Sequence, residues 1–243
     1  MISDSEAFSP IESISLKDEF IARFESLILS GKFAPGEKVP SERDLGTLFG
    51  ISRPVVHEGL RELESRGLVT IESRKGVWVN DYRREGSIEM LLSMLNYTEG
   101  RLSPSLFDGI LKMRILFEAE TARLAAISRT GEQLAALERI IEQERELNQA
   151  SANEIAALDF DFHLGVAIAS GNEIYPLLLN SFKKIYKAIL ASFYSDPAVI
   201  PAVISYHSQL VKAIRAKNAE KARDGMTAIL RYGEKNLRRI LFS

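Results

Sequence analysis

The sequence predicts a mainly α protein in two parts, a small N-terminal domain of helices with one β-hairpin and an all-α antiparallel helical bundle. Three observations lead there. Residues 14–80 carry helix, helix, turn, helix and hairpin signals in that order. From Ile88 onward there is no strand pattern, only helical periods separated by Gly, Pro or Asn. The length of 243 residues accommodates one small and one ordinary domain.

The first helix is read from Leu16, Phe20, Phe24, Leu27 and Ile28, which recur at helical spacing and are stopped by Gly31. After the Phe33-Ala34-Pro35-Gly36 turn, Ser41 caps a short second helix, with Asp44 in a capping-box-like place. Leu45, Leu48 and Phe49 are its expected inner face, and Gly50 its C-cap. Ser52 caps a third helix that tolerates Pro54 in its first turn. That helix buries Val56, Leu60 and Leu63 and closes at Gly67. Two short strands, 68–72 and 77–80, flank a Ser73-Arg74-Lys75-Gly76 turn.

This order is the layout of a winged helix-turn-helix. It holds the third helix on a three-helix core so that its outer face can enter a major groove. Ser52, Arg53, Pro54 and Val55 stand at the reading end, with His57 one turn beyond Arg53. An arginine can grip guanine O6 and N7 bidentately, worth about 1–3 kcal/mol of discrimination. Arg43, and Arg74 or Lys75 on the wing, are placed to hold phosphates or reach a minor groove. Charge argues the other way. Residues 1–80 hold 10 Lys or Arg against 13 Asp or Glu, so the domain is acidic, and the whole chain carries −2. From pattern alone, a protein-interaction module stays open beside DNA binding.

The run from Ser30 through Pro40-Ser-Glu-Arg-Asp-Leu45, then Gly50-Ile-Ser-Arg-Pro-Val-Val-His-Glu-Gly-Leu60 on to Val69, resembles the DNA-binding domain of the GntR family of bacterial regulators. The resemblance spans residues 14–80 and implies that Arg43, Arg53 and the wing contact double-stranded operator DNA. Where the family commonly has arginine in the recognition helix this chain has His57, which implies an altered contact.

Residues 81–87 are polar and read as a linker, and residues 88–243 as an effector-binding and dimerisation domain. Helices are expected over 87–97, 104–129, 131–149, 153–170, 173–195, 197–216 and 219–241. Bundles place ligand sites between facing helices. On the 153–170 helix Asp159 and His163 lie one turn apart on the stripe of Ile155, Phe162, Val166 and Ala169. On a later helix His207 shares a face with Ile204, Val211 and Ile214. Asp with two His suits zinc or another first-row divalent ion. Each residue alone is more often a hydrogen-bonded member of a polar core, and an Asp-x-x-x-His spacing by itself is weak evidence of metal. Arg114 falls on the stripe of Ile110, Phe117 and Thr121, where it can neutralise an acidic ligand or pair with Glu118 on its own helix.

Leu158-Asp-Phe-Asp-Phe-His163, Ala169-Ser-Gly-Asn172, and His207 with Ala213-Ile214 after it resemble the FadR-like (FCD) ligand-binding domain. Many members hold a divalent metal through one Asp, a His on the same helix and two later His residues. Asp159, His163 and His207 match three of these positions, and Ile229 stands near the fourth. Two effector classes follow from the resemblance. One is a small carboxylate held by the metal and Arg114. The other is a long-chain acyl-CoA lined by Tyr232 and its neighbours, as segments such as 170–180, with Asn172, and Arg231-Tyr-Gly233 imply.

Several classes are disfavoured. Apolar stretches such as 91–95 and 176–179 are far below the roughly 20 residues of a membrane span. The first ten residues lack the basic and apolar regions of a signal peptide. There is no cysteine, which suits the cytoplasm. No nucleophile elbow, phosphate loop or HExxH pair is present, so a metal-dependent enzyme is a weak alternative and a helical adaptor another. The expected protein is a homodimeric repressor tuned by an acidic metabolite.

Overall fold

The computed structural model describes residues 15–87, 91, 104–147 and 151–242. Its contacts divide the chain into two units, Met1–Tyr97 and Thr98–Ser243. Most of the helix expected over 87–97 lies outside the described residues.

In the first unit, α1 is Leu16–Leu29, α2 Glu42–Phe49 and α3 Arg53–Ser65. Ser15 caps α1 and Ser41 caps α2, each accepting from the backbone N–H three residues on. Gly50 ends α2 in the left-handed conformation. Ser52 stands at the N-cap of α3 but makes no cap bond with its side chain. Pro54 in that first turn lacks one of the N–H groups a cap would bind. The core joins Phe20, Phe24 and Ile28 to Leu45, Val56, Leu60 and Leu63. Gly59 lets α1 and α3 approach, since a Cβ there would lie 2.4 Å from Cδ1 of Phe20. Leu48, expected inside, is 72% exposed. α2 instead turns Leu45 and Gly46 inward, and Gly46 packs beneath the Ile51 carbonyl.

The wing is an antiparallel pair, β1 (Val69–Glu72) and β2 (Gly76–Val79), with Thr70 opposite Trp78 and Ile71 opposite Val77. The chain before α2 pairs with the other edge of β2, where Val39 N–H donates to the Val77 carbonyl and Val79 N–H to that of Glu37. Arg74 at the wing tip holds φ +64°, an unusual conformation for a residue with a side chain. The polar 81–87 stretch contains one helical turn, α4 (Tyr82–Glu85). It lies against the close of α3, where Gly67 leaves no room for a Cβ beside the Glu85 carbonyl.

The second unit is entirely helical among its described residues. It comprises α5 (Pro104–Ser128), α6 (Gly131–Glu146), α7 (Ala152–Ala169), α8 (Ile174–Ser181), α9 (Lys183–Phe193), a 3-10 turn (Pro197–Val199), α10 (Ile200–Arg215) and α11 (Ala219–Phe242). α5 and α11 pack antiparallel, since Arg238 near the end of α11 meets Asp108 near the start of α5 at 2.7 Å. Ala122, Ala125 and Ala126 on α5 are fully buried, and their small side chains bring the helices close around Phe162, Leu210, Ile214 and Met226. The single helix expected over 173–195 is two, broken at Phe182 (φ −95°, ψ 4°). No Gly or Pro marks the break. The Ser181 hydroxyl donates back to the Leu177 carbonyl just before the break.

Candidate functional site

On the first unit the expected reading residues sit on one end of α3. Ser52, Arg53, Pro54 and His57 are exposed and Val55 is half-buried, while Val56 behind them is in the core. Arg43 projects from α2 with 88% of its side chain exposed. Arg74 and Lys75 are exposed at the wing tip, Lys75 paired with Glu72 at 3.1 Å. Sequence reasoning missed the partner of the α3 residues. Glu42, at the first position of α2, accepts from Arg53 Nε at 2.9 Å and meets His57 Nδ1 at 2.6 Å with its other oxygen. The bond from His57 is the main reason the Glu42 carboxyl is held below its ordinary range, and Arg53 adds to it.

In the second unit Asp159 and His163 on α7 and His207 on α10 converge. Each offers a ligand atom within 4.8 Å of the others. His163 Nε2 is 3.7 Å from Asp159 Oδ1, and His207 Nε2 is 3.9 Å from Asp159 Oδ2. All three side chains are buried, and Phe162 stacks on the His207 ring at 3.9 Å between centroids. Each imidazole turns its other nitrogen to a carboxylate from a further helix. His207 Nδ1 lies 2.7 Å from Glu144 Oε1 on α6. His163 Nδ1 lies 2.5 Å from Glu118 Oε2 on α5, a close contact whose angle falls short of a hydrogen bond. Asp159 Oδ1 and His207 Nε2 are buried with no hydrogen-bond partner, a costly state for groups out of water.

Arg114 is in this cluster, and it is already paired. Its Nε donates to Glu118 Oε1 at 2.6 Å, its guanidinium stacks 4.1 Å above the Tyr186 ring, and Nη2 also meets the Tyr186 hydroxyl. Burial works against its charge, but Glu118, Tyr186 and Asp159 outweigh that and keep the guanidinium charged. Burial alone would push Glu118 up, yet Arg114 and then His163 hold it down to about 2. Burial opposes protonation of His207, while Glu144 and Asp159 raise its pKa overall. The Tyr194 hydroxyl donates to Asp159 Oδ2 at 2.5 Å, and burial pushes its own pKa well up.

The other expected effector residues lie elsewhere. Asn172 forms the turn before α8, its Oδ1 accepting from Ile174 N–H at 2.9 Å. Tyr232 packs against Tyr206 and Phe193, and Phe193 in turn meets Tyr194, so it reaches Asp159 only through two intervening rings. Ile229 is buried in the apolar cluster and offers no ligand atom. Glu118 and Glu144 were legible in part. Glu144 follows Leu137 and Ile141 on the buried stripe of α6, an acid at an inward position.

Among the described residues no single helix is long and apolar enough to cross a membrane. Residues 16–79 match the bacterial regulatory proteins of the gntR family, and residues 109–232 match the FCD domain. A fatty acid metabolism regulator protein of Klebsiella pneumoniae is 30% identical over 78% of this chain and 77% of its own. One from Proteus mirabilis is 28% identical over 86% and 84%. The HTH-type transcriptional regulator Mce2R of Mycobacterium tuberculosis is 28% identical over 98% of both chains. Two solved structures share the fold. Lar of Listeria monocytogenes superposes with a TM-score of 0.58 at 15% identity, covering 94% of this chain and 99% of its own. A GntR protein of Streptococcus agalactiae gives 0.50 at 23% identity, covering 90% and 99%.

Proposed function

Because this chain belongs to the GntR family of DNA-binding transcription regulators and carries an FCD domain, we propose that it is a repressor whose operator binding is set by an acidic effector at the Asp159–His163–His207 cluster. Its relatives are regulators, not enzymes. In this reading residues 1–80 bind DNA, 81–87 link, and 88–243 bind effector and pair two copies in the cytoplasm.

Arg53 and its neighbours Ser52, Pro54, Val55 and His57 face base edges in the major groove, and Arg43, Arg74 and Lys75 contact the backbone. A homodimer presents two such helices to two half-sites. Met113, Leu116 and Ile127 are exposed and fall within about 60° of one another around α5 at 100° per residue, with Glu120, paired to Arg123, among them. That largely apolar face suits a contact between copies.

One observation carries the metal reading, namely three buried donors converging while Glu144 anchors the far nitrogen of His207 and Glu118 lies against that of His163. Outer carboxylates of this kind fix ring orientation at metal sites. Donors about 2.0–2.2 Å from a tetrahedral ion stand roughly 3.3–3.6 Å apart, and the three donor atoms here lie within 4.8 Å of one another, so the side chains must draw together to close on an ion. Charge supports it too. The carboxylates Glu118, Glu144 and Asp159 gather around the guanidinium of Arg114 and the two imidazoles, an acidic setting that favours a cation. Such an ion, zinc or similar, supplies positive charge for a carboxylate ligand. Arg114 is left to orient Glu118, because that pairing already neutralises it. Ile229 leaves one coordination position to water or effector.

A second reading rests on relatives named for fatty acid metabolism. There the effector is a long-chain acyl-CoA, and the aromatic group around Tyr232 meets its chain. Metal content of the purified, chelator-free protein, beside His207→Ala, separates the two. About one divalent ion per chain, lost in the variant, supports the metal and a small carboxylate. No metal in either makes the cluster a polar core and acyl-CoA the leading ligand. In both readings an effector that changes operator affinity 5–150-fold needs about 1–3 kcal/mol of coupling.

A further inference from the structure

We propose that Glu42 is a positioning residue for operator reading, which fixes the edge that Arg53 and the ring nitrogen that His57 present to DNA. The argument rests on α3 entering the major groove and starts from valence. Arg53 Nε and His57 Nδ1 reach the two oxygens of one carboxylate, at 2.9 and 2.6 Å. An ionised carboxylate only accepts hydrogen bonds, so the proton of that contact sits on His57 Nδ1. Nε2 is therefore the ring nitrogen left for a base or phosphate. Arg53, with Nε engaged, keeps the edge formed by Nη1 and Nη2. A guanine needs two donors from an arginine, and this edge supplies them without competition from Glu42.

The placement of the three side chains fits the role. Arg53 and His57 are one turn apart on the exposed face of α3, 74% and 48% exposed in their side chains, while Glu42 from α2 is mostly covered. Two long side chains are thus ordered before DNA arrives, which lowers the entropy lost on binding. The same carboxylate places a negative charge beside the reading face, so binding to unrelated sequence is weakened while the right contact is oriented. That gives the acidic balance of this domain a use, since specificity is a difference between affinities.

Glu42→Gln tests this, because it replaces with an NH2 donor one of the two acceptor oxygens that Arg53 and His57 use. The probe is a duplex selected from a random-sequence library by the full-length wild-type protein, with single-base variants of it. Glu42→Gln is expected to lose about tenfold in discrimination at the base read by Arg53. It should bind an unrelated duplex severalfold more tightly. Nitrogen-15 NMR of the imidazoles, assigned with His57→Ala, should find Nδ1 of His57 protonated in the wild type and its proton displaced in Glu42→Gln. An unprotonated Nδ1 in the wild type overturns the proposal, as does unchanged discrimination in a folded Glu42→Gln. If that variant does not fold, the wild-type spectrum decides. Arg53→Ala separates the premise: if it leaves the selected sequence unchanged, α3 is not the reading helix and the positioning role falls with it. If it alters the sequence while Glu42→Gln does not, only the positioning role falls.

Discussion

His207 Nδ1 donates to Glu144 Oε1 across 2.7 Å, although the two residues are 63 positions apart in sequence. The bond ties α10 to α6 and turns the His207 Nε2 atom toward Asp159, where it has no hydrogen-bond partner. A buried imidazole held at one nitrogen and open at the other is prepared for a ligand.

Removing that anchor should therefore weaken the metal without deleting a donor. Glu144→Gln is expected to lose about 10–100-fold in zinc affinity, the usual effect of changing an outer partner. Competition with a chromophoric chelator measures it. Affinity equal to wild type would mean that the carboxylate plays no part in holding the ion.

Glu118 makes a prediction about acid. Its carboxyl is held to about 2 when folded, against an ordinary 4.5. The unfolded chain thus binds the proton more readily, and the stabilisation is complete above about pH 4.5. It is lost as pH falls from there toward 2. The size is on the order of 3 kcal/mol. Melting temperatures between pH 7 and 3 should fall more steeply for the wild type than for Glu118→Gln, whose stability is already lower at pH 7 because Arg114 has lost its charge partner.

Arg53→Ala should cost roughly 5–150-fold in affinity for the selected duplex, the equivalent of about 1–3 kcal/mol. The far-ultraviolet spectrum and melting point should stay put, because the side chain is largely exposed. A footprint identical to wild type would remove Arg53 from the reading face.

The α5 stripe makes the oligomer testable. Leu116 is 80% exposed, so Leu116→Glu costs the isolated chain little. Were it to lie between copies, a buried unpaired charge would be expensive. Light scattering should find a dimer for the wild type and a monomer for the variant at micromolar concentration. A variant that stays dimeric puts the interface elsewhere.

Gly59→Ala probes the winged core. A methyl group there would sit 2.4 Å from the Phe20 ring, and overpacking of this kind typically costs about 1–3 kcal/mol. Chemical denaturation of the variant should show that loss; an unchanged midpoint would mean that Phe20 moves freely.

The sequence by itself determined what is local. Ser41 and Gly50 act at helix ends where a short side chain or a missing Cβ is needed, and Val56, Leu60 and Leu63 form a stripe by helical geometry alone. Asp159 and His163, four residues apart on α7, were legible as a pair for the same reason. Periodicity does not say how far around a helix its neighbours reach, so Leu48 looked buried and is exposed. Nor does it mark a break that carries no Gly or Pro, as at Phe182. Only the tertiary structure decided the partners. Glu118 with His163, Glu144 with His207, Tyr194 with Asp159 and Glu42 with Arg53 join residues on different helices. A hydrogen bond between helices depends on their separation and rotation, and those are fixed by packing of the apolar faces rather than by any spacing along the chain.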